Sequence, residues 1–326
     1  MTATAPSVVV VGAGIAGLAA ARSLHDDGHR VQVVDKGRSV GGRLATRRIG
    51  EATLDHGAPF VTSGGPELDA VIGELEADGL LREWRGARGP SGSRRYAVEG
   101  GMNQLAKRLA HGLDVTVDTV IETVAAGDGR WALRSASREF TADAVVLTPP
   151  VPQSLAIVDA GGVDLASPVR DQLDAIRYER SLVLLVVLSS PPRAVPGGVL
   201  FDEGPFRIIV DNHAKGISSE PAVTLQLGPE LSAALWDSPP DEVLDELLAR
   251  ADRWLGHTDV VAAQVKRWRY AEATAPSVVP IVATTVEGSP LVFAGDAFAG
   301  GGVAGAHRSG RTAADHLVAR LGDGPA

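Results

Sequence analysis

The spacing GAGIAG at residues 12–17, the carboxylate of Asp35 and the Gly295-Asp296 pair are the features of this chain best suited to chemistry. Gly12 permits a tight turn, Gly14 lets the backbone approach a diphosphate, and Gly17 lets a helix pack closely on a strand. Ile15 and Ala16 open that helix, whose unpaired N–H groups and positive dipole end favour phosphate. Asp35, followed by Lys36, closes the next strand, where a carboxylate accepts hydrogen bonds from ribose hydroxyls. These residues point to a bound dinucleotide and do not separate NAD from FAD.

The segment VDKGRSVGGRLATRR (34–48) adds a second glycine pair and Arg43 just beyond the carboxylate. A guanidinium is well matched to phosphate. Near the other end, LVFAGDAFAGGGVAGAHRSGRTAADHL (291–317) runs from an apolar strand through glycines into an alanine-rich helix. With these motifs the chain resembles the flavin amine-oxidase superfamily. The resemblance implies that Gly42 and Arg43 line the FAD diphosphate and that Gly295-Asp296 meets the ribityl chain. It further implies that the backbone of Val303 and Ala304 faces the flavin ring, where larger side chains would collide. Ile121 falls at a position whose backbone meets the adenine; an ordinary sheet-core residue is the competing reading. Asp35 departs from the glutamate more common in that superfamily, and either side chain can hold a ribose.

A narrower resemblance is to the renalase-like flavoproteins. It rests on GGRLATRR, LDHGAPFVT (54–62), VEGGMNQLAKRLA (98–110), RWALR and VKRWRYAEATAP (265–276). It implies non-covalent FAD and oxidation of dihydronicotinamide isomers, with O2 as the electron acceptor and H2O2 as the product. Around such a substrate, His56 is a candidate proton shuttle or ligand, set against a structural hydrogen-bonding role. Trp268 and Tyr270 alternate on a strand and share one face, as cavity wall or as core; Tyr96 carries the same two readings. Arg94, Arg95 and Arg180 are candidates to meet a substrate phosphate, with solvated cations as the default reading. No catalytic acid or base is identified, the histidines show no metal-ligand spacing, and no nucleophilic triad is present.

These residues need a scaffold, and the pattern SVVVVGAGIAGLAAARSLHDDGHRVQVVDK (7–36) supplies its core: strand, glycine turn, helix, strand, with Gly28 ending the helix. Helices are expected at 66–80, 101–112, 166–176, 240–255 and 303–320. Strands are expected over 114–127, in RWALRSA and ADAVVLTPP, at 177–189, 198–210, 221–227 and 260–270, and in PLVFAG from 290; 86–94 reads as a loop. The fold class is α/β: a Rossmann-like FAD-binding domain of glutathione-reductase type (1–64, 97–150 and 288–326) with an inserted α+β substrate domain (65–96 and 151–287).

Composition narrows function. With 326 residues and 44% hydrophobic content the chain builds a sizeable core. A net charge of −9 argues against nucleic-acid binding. The absence of cysteine excludes disulfides, thiolate metal sites and a cysteinyl flavin linkage, and fits the cytoplasm. The apolar run SLVLLVVL (181–188) falls far below the ~20 residues of a membrane span, so a soluble protein with a small-molecule substrate and no membrane partner is expected. The leading function is hydride transfer from a small reduced metabolite to FAD. The rivals are an amine oxidase or desaturase, a flavin-binding protein without turnover, and an NAD-dependent dehydrogenase.

Overall fold

The protein is described by a computed structural model covering residues 5–63, 65–85, 93–192, 195–256 and 258–322. Residues 86–92 of the expected loop lie outside this set. The chain opens with β1 (Ser7–Val11), α1 (Ile15–Asp26), β2 (Arg30–Val34), β3 (Thr46–Ile49), β4 (Ala52–Asp55), β5 (Val61–Thr62), α2 (Pro66–Ala77), β6 (Leu81–Glu83) and β7 (Arg95–Val98). It continues through α3 (Asn103–Ala110), β8 (Asp114–Thr116), β9 (Thr123–Gly127), β10 (Arg130–Arg134), β11 (Glu139–Ala142), β12 (Ala144–Leu147), α4 (Val151–Ala160) and α5 (Ser167–Asp174). Then follow β13 (Tyr178–Leu188), β14 (Val199–Glu203), β15 (Phe206–Asp211), β16 (Ala222–Leu227), α6 (Pro229–Ala234) and α7 (Pro240–Leu255). The last elements are β17 (Val260–Ala273), β18 (Val282–Val286), β19 (Ser289–Phe293) and α8 (Gly302–Gly322).

Two compact units divide the chain. The first comprises Met1–Gly42, Ala106–Arg177 and Ala273–Ala326. Its sheet has the order β18-β19-β12-β1-β2-β8, parallel except for the antiparallel β18 edge. Val8 to Val11 are all buried, as a central strand covered on both faces requires. A three-stranded antiparallel sheet, β11-β10-β9, is tied to β19 by Trp131 Nε1, which donates to the Pro290 carbonyl at 2.9 Å. The single strand expected over 114–127 is two strands in two different sheets. Asp118 has φ 52°, and the amides of Asp118 and Thr119 bond to the carbonyls of Gly37 and Asp35, so the chain turns off the parallel sheet there.

The second unit comprises Arg43–Leu105 and Tyr178–Glu272. Its five-stranded sheet runs β14-β15-β16-β13-β17. The apolar run 181–188 is explained by position: β13 is covered on both sides. Leu182, Leu184, Val186 and Leu188 pack on the cluster that holds Val243, Leu247 and Trp254 of α7. Val183, Leu185 and Val187 pack against Ala52 and Leu54 of β4. Each such side chain contributes about 1.5–3 kcal/mol of burial. The strand expected at 198–210 is a hairpin, β14 and β15, turned at Gly204 with φ 62°. Two small sheets, β3-β4 and β5-β7-β6, complete the unit. The architecture is mixed α/β with a Rossmann-like sheet, as expected.

Candidate functional site

The glycine turns from the two ends of the chain meet in the first unit. β1 and β19 both pair in parallel with β12, so Gly12–Gly14 and Gly295-Asp296 leave the same edge of the sheet. Thr148, just after β12, sits between them. Its Oγ1 donates to the carbonyls of Val11 at 2.8 Å and Gly12 at 3.2 Å, while a Cβ on Gly295 would lie 3.5 Å from its carbonyl oxygen. The helices that follow also touch: a Cβ at Gly310 of α8 would come within 2.0 Å of the Ala16 carbonyl oxygen of α1.

Each glycine of the first turn has a distinct reason. Gly12 has φ 101°, and a Cβ there would overlap Thr148 Oγ1. A Cβ at Gly17 would lie 1.9 Å from the Gly12 carbonyl oxygen, so this position sets the approach of α1 to β1. At Gly14 a Cβ would meet nothing within 4 Å, and Gly42 packs over Gly14 Cα. Gly14 also caps α1 without any side-chain bond, and no acidic residue lies in the first turn with Ile15 and Ala16. Open space in front of an uncapped, uncompensated helix N-terminus fits the diphosphate of a dinucleotide.

Asp35 holds this turn together. Its Oδ2 accepts from the Ala13 amide and its Oδ1 from the Gly37 amide, both at 2.6 Å. Lys36 lies at the surface, where Nζ donates to Gln153 Oε1 at 2.9 Å. Ile121 is buried in the irregular segment between β8 and β9. At the other turn Asp296 is half-buried, and Ala299, Gly300, Gly301 and Gly302 all have positive φ, which only glycine adopts readily. Val303 and Ala304 form the first turn of α8, half-buried.

The remaining candidates lie in the second unit. Arg43 Nη1 donates to the carbonyls of Tyr270 and Ala271 on β17, each at 3.3 Å. The segment Asp55–Pro59 is fastened carbonyl by carbonyl: Asp55 to Thr224 Oγ1, His56 to Trp268 Nε1 at 2.8 Å, Gly57 to Gln226 Nε2, and Pro59 to Lys215 Nζ. His56 stacks on Trp268 with centroids 5.5 Å apart. Its Nδ1 is buried and without a partner among the described residues. Burial first, then the positive Lys266, depress its pKa from 6.5 to about 4, with Asp55 opposing. The imidazole is therefore neutral at ordinary pH. Tyr270 meets Tyr178 edge-on at 5.6 Å. Tyr96 is wholly buried on β7, and that burial raises its phenol pKa. Arg180 lies over the Trp236 ring and Arg94 over Tyr96.

Sequence reasoning missed Lys215. Its Nζ reaches Asp55 Oδ2 at 2.5 Å, with both side chains wholly buried. Asp55 Oδ1 accepts from Thr46 Oγ1 and the Met102 amide. The available signal was the rarity of lysine: only four stand among 31 basic residues. Among the described residues, no group of three acidic or histidine side chains is placed to hold a metal, and no helix is long and apolar enough to cross a membrane.

Comparison with known proteins agrees with this geometry. Residues 10–75 match the model of an NAD(P)-binding Rossmann-like domain, and residues 79–318 match that of flavin containing amine oxidoreductases. The flavin-dependent L-tryptophan oxidase RebO of Lentzea aerocolonigenes is 29% identical over 194 residues, 51% of this chain and 38% of that protein. A flavin-containing monoamine oxidase of Mycobacterium tuberculosis is 51% identical over 65 residues, 20% of this chain and 14% of that protein. These matches span well under half of the curated relatives. Cyclohexylamine oxidase from Brevibacterium oxydans IH-35A superposes with a TM-score of 0.69 at 16% identity, covering 98% of this chain and 100% of that one. Putrescine oxidase bound to putrescine gives 0.70 at 18%, covering 96% and 99%. At such identities the structures speak to the fold. The family model covers well over half of the sequence, so the chain belongs to the flavin-containing amine oxidoreductases, with FAD as its cofactor.

Proposed function

We propose that this protein is an FAD-dependent oxidase that takes two electrons from a carbon–nitrogen centre of a small molecule. The observation that carries this reading is the meeting of the two glycine turns around Thr148, two segments some 280 residues apart that open at one sheet edge. In this reading Gly12, Gly14 and Gly17, with the amides of Ile15 and Ala16, hold the diphosphate. Asp35 orders their turn and takes a ribose hydroxyl on its remaining lone pairs, while Asp296 and the amides of Val303 and Ala304 serve the flavin end. Held by these residues, FAD would supply two-electron redox chemistry, with O2 as the final acceptor and H2O2 as the product. The chain's part is positioning and exclusion of water rather than acid–base work, which accords with a neutral, immobilised His56.

For the substrate, the named relatives oxidise amines or an amino acid, and the renalase-like motifs favour dihydronicotinamide isomers. All place the departing hydride beside nitrogen. Anaerobic stopped-flow reduction of the flavin settles the class, using NAD(P)H, its 2- and 6-dihydro isomers, primary amines and L-amino acids. Bleaching by the 2- and 6-dihydro isomers, the amines or the amino acids, followed by H2O2 release on admitting O2, is the expected result; reduction by NAD(P)H alone, whose hydride leaves C4, counts against a carbon–nitrogen centre. Failure of every member to reduce a fully flavin-loaded protein overturns the proposal.

A further inference from the structure

β17 ends the five-stranded sheet of the second unit, with β13 on one side and an edge on the other. Its 14 residues far exceed the about 5–6 of an ordinary strand. The Asp259 carbonyl accepts from the Ser189 amide at 3.0 Å and so points toward β13. Alternation from there turns the amides and carbonyls of Val260, Ala262, Gln264 and Lys266 to the open side. The Tyr270 carbonyl, which falls on the same side, is taken by Arg43 Nη1, so the far end of the edge is closed. The near end carries no such cover. Val260 to Val265 hold neither a proline nor a charge, and Val260 and Val261 are 43% and 65% exposed. Open backbone groups flanked by apolar side chains are a template for another strand.

We propose that this edge pairs antiparallel with the same edge of a second copy of the chain, about a twofold axis at Ala263, joining two five-stranded sheets into one. In that register Val261 meets Val265 of the other copy and Asp259 meets Arg267, and symmetry makes each pair twice. Asp259, Val261, Val265 and Arg267 share the face that Val265 turns to the α7 cluster, while Ala262 and Trp268 turn to β4. Both charged residues are exposed. The Asp259 carboxylate has no partner among the described residues, and Arg267 uses only one nitrogen, on the Ser238 carbonyl. On the opposite face the methylenes of Lys266 cover Val260. Neighbouring registers lose this fit. An axis at Ala262 sets Asp259 against Val265, and one at Gln264 sets Val261 against Arg267. The segment complements itself, which selects a second copy over an unrelated strand. The inference concerns association alone and does not depend on the redox reading above.

The test is sedimentation velocity of the flavin-loaded protein at micromolar concentration, where the parent is expected to run as a dimer. Gln264→Pro removes an outward amide that the monomer does not use, a change an edge strand tolerates, so this variant should run as a monomer and keep its flavin. Val261→Lys, at an exposed position, should weaken association at least tenfold and guards against misfolding of the proline variant. Asp259→Arg and Arg267→Asp should each weaken it several-fold, and the double variant should recover most of that loss. The chain has no cysteine, so Ala263→Cys places a single thiol on the axis. Facing residues at a non-hydrogen-bonded position have Cα atoms about 4.5 Å apart, within the about 4.4–6.8 Å that a disulfide spans. Mild oxidation should therefore link two chains of Ala263→Cys, and should not link Val260→Cys at the end of the paired stretch. A monomeric parent, a dimer unchanged by both Gln264→Pro and Val261→Lys, or a dimer that Ala263→Cys fails to link overturns the assignment. Flavin reduction in the same preparations is read separately, so failure of this interface and failure of the oxidase reading remain distinct.

Discussion

Lys215 Nζ and Asp55 Oδ2 lie 2.5 Å apart in a fully buried pair, and the same ammonium also reaches the Pro59 carbonyl. One cation thus grips both ends of the segment that carries His56. Removing one partner strands the other charge out of water, a loss of about 3–5 kcal/mol. Lys215→Met and Asp55→Asn should each show this in urea unfolding, and the double variant should lose clearly less than the sum. Additive losses would mean that the two groups are not coupled.

Two glycines three positions apart in the sequence, Gly14 and Gly17, should fail in opposite ways. A Cβ at Gly17 runs into the Gly12 carbonyl, so Gly17→Ala should destabilise the apoprotein by several kcal/mol, as overpacking of a fixed backbone contact does. A Cβ at Gly14 meets open space, so Gly14→Val should fold normally and lose FAD. Thermal unfolding of the two apoproteins and flavin content after purification give the comparison. A Gly14→Val protein that retains full flavin would remove the diphosphate assignment.

The parallel core was legible because its signals are local. A fully apolar strand, three spaced glycines and a helix ended by Gly28 leave little freedom, and the same holds for the glycine-rich entry to α8. The second unit was less legible because its logic is tertiary. SLVLLVVL shows burial on both faces but does not name α7 and β4 as the covers. The split of 114–127 depends on bonds from Asp118 and Thr119 back to the end of β2, which no periodicity reveals. Lys215 was overlooked because its partner is 160 residues away. Arg95 looked solvated because the rings that enclose it come from β14 and from the segment before β5.

Asp296 follows a glycine with φ 140° at the end of β19, and its amide neighbour Gly295 is fixed by Ser309 Oγ at 3.0 Å. The turn is therefore held in part by a bond from the Gly295 amide to a side chain of α8. Asp296→Ala should still fold, with an unfolding free energy of the apoprotein lowered by no more than about 3 kcal/mol, the ordinary range for a single replacement. Its affinity for FAD should fall roughly tenfold, the loss of one hydrogen bond to a charged group. Fluorescence titration of the apoprotein with FAD measures it, and unchanged affinity counts against the ribityl role.

His56 and His307 both have pKa values lowered from 6.5 to about 4, in each case first by burial and then by nearby cations: Lys266 and Arg47 for His56, Arg311 and Arg308 for His307. For His56 the adjacent Asp55 opposes the shift. The sign of the consequence is fixed by proton counting. Between 6.5 and about 4 the unfolded chain holds protons that the folded chain refuses, so stability falls as pH falls through this window. Above 6.5 both states are neutral and the contribution is constant. Around pH 5 to 6 each histidine adds a slope of about 1.4 kcal/mol per pH unit. His56→Gln and His307→Gln should each flatten the measured slope of unfolding free energy by roughly that amount while leaving its value above pH 7 to reflect packing alone. The carboxylates contribute equally to parent and variant, so the difference isolates the imidazole. If the slope between pH 5 and 6 is the same with and without His56, the ring is protonated in the folded protein, and a neutral imidazole stacked on Trp268 is not what this enzyme presents.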